Sequence, residues 1–260
     1  MAETTPAAQT AETPDLQLVL PGRGTPAGAG WDWVVQGWGL FTRAPLMWIL
    51  SLIIVFVIAI VMGLVPIIGT LAFQLIQAVF AGGFAAACRS IEKGGDFELE
   101  HLFSGFSKRF VPLMLVGLIT LLGWVAIVLV FFAFAGFALV AAFMSGDPNS
   151  AIAALTASAT SLILGGLVVL ALMVPLMAAY WFAPALVMLN GMSAGAAMKE
   201  SLFACMRNLV PFLVYGIVMF IAAIIATIPF GLGFLVWVPV AITSTYAAYR
   251  QIFTEGAWGS

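Results

Sequence analysis

From Pro45 to Val65 the chain carries no charged side chain, and the same holds for Thr70–Cys88, Pro112–Phe143, Ala151–Leu189, Pro211–Ile228 and Phe234–Tyr249. Hydrocarbon offers no partner to backbone N–H and C=O groups, so a single segment that crosses it must satisfy them internally, as a helix does. At about 1.5 Å per residue, runs of this length cover a hydrocarbon layer of about 30 Å. The expected fold class is therefore all-α: a polytopic membrane helical bundle of about six transmembrane helices in three hairpins. Composition agrees, with 63% hydrophobic and 8% charged residues, against about 45–50% and about 25% in soluble domains.

Three of the apolar runs start the same way. Arg43-Ala44-Pro45, Lys108-Arg109-Phe110-Val111-Pro112 and Arg207-Asn208-Leu209-Val210-Pro211 each set a basic residue two to four positions before a proline. Proline is tolerated in a first helical turn, where its missing N–H has no intrahelical acceptor. Ahead of each proline stands a more polar stretch with helical periodicity. In Trp31–Arg43, Trp31, Val34, Val35, Trp38 and Thr42 share a face that suits the membrane surface, with Trp33 and Leu40 breaking the scheme. In Arg89–Lys108, the stripe Leu99, Leu102, Phe103, Phe106, Phe110 faces away from His101, Ser104 and Lys108. In Gly191–Asn208, Met198, Leu202, Cys205 and Leu209 oppose Lys199, Glu200, Arg207 and Asn208, and Phe203 breaks the pattern. Short amphipathic helices on the cytoplasmic side are expected here.

The turns between paired spans are Pro66–Gly69, the polar cluster Ser145–Asn149, and Pro229–Gly233. Ala151–Leu189 exceeds one crossing, and its Pro175 and Pro184 predict a kink or a bend along the interface near Tyr180-Trp181-Phe182. Residues 1–30, rich in Thr, Ala, Pro and Gly, read as a disordered cytoplasmic tail without the order of a signal peptide. The division is then tail 1–30, membrane domain 31–253 with candidate hairpin repeats 31–90, 97–190 and 193–250, and a short tail 254–260.

Under this topology all nine Lys and Arg fall on one side, and the three turns on the other side carry none. Positive charge in short loops stays in the cytoplasm, so both termini are expected there. Those nine are too scattered to track phosphates, which speaks against nucleic acid as a partner. No nucleophile–base pair, metal set or phosphate loop is evident, so no cofactor and no enzymatic activity are expected. His101, the single histidine, reads as a solvated side chain. Cys88 and Cys205 read as small apolar filler, and Gly82-Gly83 and Gly165-Gly166 as sites of close helix packing.

Two sets of residues stand out as candidate contacts. No span holds an ionisable group, which disfavours proton coupling. The polar pair Gln74 and Gln77, on one face of the second span, are the candidate intramembrane contacts. Arg43, Lys108, Arg109, Lys199 and Arg207 are the candidate contacts to anionic lipid headgroups, each charge near such a surface being worth about 1 kcal/mol.

The pieces Gly37-Trp38-Gly39-Leu40-Phe41, Glu98–Phe106, Trp181–Leu186 and Pro211–Gly216 together resemble an uncharacterised family of proteobacterial multi-pass membrane proteins, over roughly Gly30 to Phe253. The resemblance implies a bacterial inner-membrane location and carries over no catalytic residue. The leading expectation is a non-enzymatic inner-membrane protein that organises lipids or partner proteins, other membrane proteins or itself, through its cytoplasmic amphipathic helices. The alternative is a transporter or exporter of a neutral or lipid-like molecule.

Overall fold

The computed structural model describes residues 17–144 and 150–255. In chain order the helices are α1 (Ala29–Arg43), α2 (Pro45–Gly63), α3 (Ile68–Glu92), α4 (Leu99–Lys108), α5 (Phe110–Met144), α6 (Ser150–Trp181), α7 (Ala183–Asn190), α8 (Ala194–Arg207), α9 (Leu209–Thr227) and α10 (Phe234–Phe253). The chain forms an all-α helical membrane bundle. Five stretches are long and apolar enough to cross a membrane: α2, α3, Phe110–Ala133 of α5, Ala159–Asn190 through α6 and α7, and α9. The predicted sixth span, α10, is not among them. Its second half carries Thr243, Ser244, Thr245, Tyr246, Tyr249, Arg250 and Gln251, a polar set of which the bundle buries all but the half-buried Thr245 and Gln251. The predicted turn Ser145–Asn149 lies outside the described residues.

Each short helix meets its span at a break of one type. Ala44, Arg109 and Asn208 all leave the helical region, with φ/ψ of −147/53°, −143/33° and −113/32°. Each then acts as the N-cap of the following span, its carbonyl accepting the first helical bond from Trp48, Leu113 or Phe212 at 3.0–3.1 Å. The prolines sit within the first three residues beyond the break, where no intrahelical bond is lost. Two of the far-side turns also match. Ile67 and Phe230, each just after a proline, adopt positive φ of 65° and 54° at exposed tips.

The short helices dock in a cyclic order. α4 lies along α3, α8 along α6, and α1, with no hairpin before it, along α10 of the last one. Glycine permits these approaches. A Cβ on Gly37 would lie 2.6 Å from the Ser244 backbone nitrogen, and one on Gly83 or Gly105 would lie 2.2 or 2.4 Å from the carbonyl oxygen of Leu102 or Val79. Gly82 meets the Leu113 side chain as expected, whereas Gly166 faces open space. In place of a glycine, α8 uses the Ser201 hydroxyl, which donates to Ala178 O at 2.6 Å and accepts from Phe182 N–H at 2.9 Å. The latter bond holds the break between α6 and α7 at Phe182, while Pro175 stays inside α6.

The structure refines one local expectation and corrects another. On α1 the core face is Gly30, Trp33, Gly37, Leu40 and Phe41, so the residues that broke the amphipathic scheme are the buried ones. Trp31, Val35 and Trp38 form a second, exposed apolar face suited to the membrane surface. The segment 17–28, expected in the disordered tail, lies over the ends of α10 and α8. Val19 N–H donates to Phe253 O, Arg23 N–H to Ile252 O, and Glu255 N–H to Gln17 O, at 2.8–3.2 Å. Buried Asn208 completes the seam, accepting from Thr25 N–H at 2.7 Å and donating to Arg23 O at 3.1 Å. Backbone groups, Asn208 and the side chains of Arg23 and Arg207 hold this strap, which explains why its Pro- and Gly-rich composition does not announce it.

Candidate functional site

Where the hairpins meet, α2, α3, α6, α7 and α10 leave a cavity of about 490 Å³ between them. Its walls are apolar, among them Leu52, Val55, Phe73, Phe80, Phe84, Met177, Trp181 and Ile242. Four polar side chains interrupt them: Gln77, Tyr180, Thr245 and Tyr246. Helical spacing puts Gln77 on the same face of α3 as Phe73, Phe80, Ala81 and Phe84, all of which line the cavity. Gln77 makes no hydrogen bond to another described residue, so its amide keeps two donor hydrogens and an acceptor oxygen for whatever occupies the space. Gln74, one turn earlier, is half-buried and does not line the cavity. The structure thus separates the two members of the predicted pair.

Below the cavity lies a polar network that crosses between hairpins. The Tyr246 hydroxyl donates to Glu92 Oε2 at 2.5 Å, and Arg250 Nε donates to Glu92 Oε1 at 2.6 Å, with Arg250 Nη2 at 2.5 Å. Arg89 Nη1 reaches the same carboxylate at 3.2 Å. One turn along, the Tyr249 hydroxyl donates to Asn190 Oδ1 at 2.5 Å, and Arg250 Nη1 donates to Thr254 Oγ1. Sequence reasoning treats Arg250 only as a topological charge, yet its side chain is 7% exposed. The available signal was Tyr246, Tyr249 and Arg250 on one helical face, opposite a carboxylate just past the second apolar run.

The five basic candidates do not converge. Arg43 Nη1 donates to Ile91 O at 3.0 Å and so caps the end of α3, and Arg207 Nη1 donates to Gly22 O at 2.8 Å and holds the strap. The Arg109 guanidinium lies over Gly191, the left-handed cap of α7. Lys108 is exposed. Lys199 lies 6.0 Å from the Phe203 ring centre and shares a surface groove with Arg207, Leu20, Phe203 and Met206. His101 closes a capping box on α4, its Nδ1 accepting from Glu98 N–H at 3.1 Å. Both cysteines are buried and unpaired. Burial pushes the Cys205 thiol up to about 12, so it is an unreactive thiol. Among the described residues no three His, Cys, Asp or Glu are grouped to hold a metal ion.

Membrane-length helices around a largely apolar, partly open cavity define a multi-pass membrane protein with a pocket between its helices. The chain is 30% identical over 252 residues to a probable inner membrane protein of Burkholderia thailandensis, an alignment covering 87% of this chain and 92% of the relative. It belongs to that family of inner-membrane proteins. No family model matches it, and no solved structure does.

Proposed function

We propose that the protein binds a neutral, lipid-like molecule in the central cavity, as a carrier or exporter of that molecule and not as an enzyme. The observation that carries this reading is the cavity itself, whose volume of about 490 Å³ falls within the range of about 300–1,000 Å³ for small-ligand sites. Apolar walls with a few hydrogen-bonding groups suit an amphiphile without formal charge, since none of the residues lining the cavity is charged. Native mass spectrometry of the protein released from its own membrane tests it. A neutral lipid-like adduct is expected, and Gln77→Leu should weaken its retention roughly threefold to tenfold, the loss of one neutral hydrogen bond. Anionic phospholipid retained equally by both proteins would favour instead the organising role, with exposed Lys108 and Lys199 as headgroup contacts.

The proposed orientation places both termini in the cytoplasm. Arg43, Arg89 and Arg250 gather around the end of α3, Arg23 and Arg207 around the end of α10, and the turns 66–69 and 229–233 have no basic residue. By the positive-inside bias that end is cytoplasmic. Green fluorescent protein fused after Ser260 should fluoresce, and alkaline phosphatase inserted at Asp147 should be active. The reverse pair of results would invert the topology.

A further inference from the structure

Around the bundle, the first helix of one hairpin lies against the second helix of the preceding one at two of three positions, α5 against α3 and α2 against α10. At the third, α6 and α9 share no comparable interface among the described residues. Side chains bridge that gap instead. The Trp181 ring stands edge-on to Phe212 and Tyr215, with centroids 5.7 and 6.3 Å apart and interplanar angles of 86° and 88°.

Beside the gap, between α9 and α10, runs a groove of about 700 Å³. Trp181, Ile242 and Thr245 line both the groove and the central cavity, so these three residues stand between the two spaces. The rest of the groove is almost wholly apolar, including Met219, Phe220 and Ala223 of the membrane-length helix α9. Its surroundings at that depth are lipid tails, which are as apolar as the groove. A chain entering it gains contacts but no hydrophobic transfer energy, so selective retention must come from a polar group anchored elsewhere. The cavity next door supplies unengaged Gln77.

We infer that the ligand is a membrane amphiphile that enters sideways from the bilayer, with its neutral polar end in the cavity at Gln77, its acyl chain in the α9–α10 groove and Trp181 as the gate between them. This rests on the cavity reading above and adds to it the route and the ligand's second half.

The test uses the full chain in phospholipid nanodiscs with two photoactivatable probes. One is a long-chain monoacylglycerol with a diazirine near the chain end, and the other is a short-chain glycerol ester with a diazirine that fits inside the cavity. Gly216 lines the groove, and a Cβ there meets nothing within 4 Å, so Gly216→Trp fills the groove without disturbing the cavity. Its elution and thermal midpoint should match those of the unmodified protein. Expected is long-chain labelling of α9 between Met219 and Ala223, reduced about tenfold by Gly216→Trp, a difference of about 1.4 kcal/mol, with short-chain labelling unchanged. Short-chain labelling with long-chain labelling insensitive to Gly216→Trp overturns the groove and its gate but leaves the cavity reading standing. Absence of labelling by either probe in the unmodified protein overturns both.

Discussion

Arg250→Gln should destabilise the protein by about 3 kcal/mol, because it leaves the carboxylate of Glu92 nearly buried and without its closest cation. Glu92 and Arg250 are 14% and 7% exposed in their side chains and lie 2.5 Å apart. Arg89, at 3.2 Å from the same carboxylate, gives partial compensation, so the loss belongs at the lower end of what a broken buried pair costs. Glu92→Gln should cost a similar amount, since it leaves Arg250 charged and takes the anionic acceptor from Tyr246. Changing both to glutamine removes the two opposite charges together. The double variant should therefore lose less than the sum of the single ones, by about 1–3 kcal/mol of coupling. Unfolding by titration with sodium dodecyl sulfate, followed by tryptophan fluorescence, measures all three. Strict additivity would refute the pair as a coupled unit joining the first hairpin to the third.

That pair also shows which features the sequence discloses. Apolar length is a local property, and it reveals a helical membrane bundle without any knowledge of contacts. Gln77 is visible for the same reason, as a polar residue within an uncharged run. Its companions in the cavity, Tyr180, Thr245 and Tyr246, belong to the other two hairpins, and no periodicity brings residues so far apart in the chain together. Arg250 looks like any cytoplasmic anchor until Glu92 is placed beside it. On α1 the difficulty is physical ambiguity. Trp33 and Trp38 are both large and apolar, yet one is buried among Phe212 and Tyr215 while the other is half-exposed. In a bilayer, one face of a helix can meet the core and another the lipid, so hydrophobicity ceases to mark the inside. Small residues mark it better, because backbones approach most closely where side chains are absent.

That last point yields a sharp comparison on α1 itself. Gly37 and Gly39 are two residues apart in one helix, and alanine should gain up to about 1 kcal/mol of helix propensity at either. Gly39 faces open space, so Gly39→Ala should be neutral or slightly stabilising. At Gly37 the added methyl would lie 2.3 Å from Ser244 Oγ, 2.6 Å from its nitrogen and 2.8 Å from its Cα. A rotamer change could move the hydroxyl, but the other two atoms belong to the backbone of α10. The helices must separate, and with them the bond from the Thr243 hydroxyl to Gly37 O at 2.9 Å and that from Trp33 Nε1 to Gln251 Oε1 at 2.5 Å. Overpacking of this kind costs about 1–3 kcal/mol, and rigid backbone on the far side argues for the upper half of that range. Gly37→Ala should thus unfold at a clearly lower dodecyl sulfate fraction than Gly39→Ala, although the two changes are chemically identical. Equal midpoints would mean that α1 is a surface anchor loosely apposed to α10, and that the cyclic order of docked helices is not what holds the first hairpin to the last.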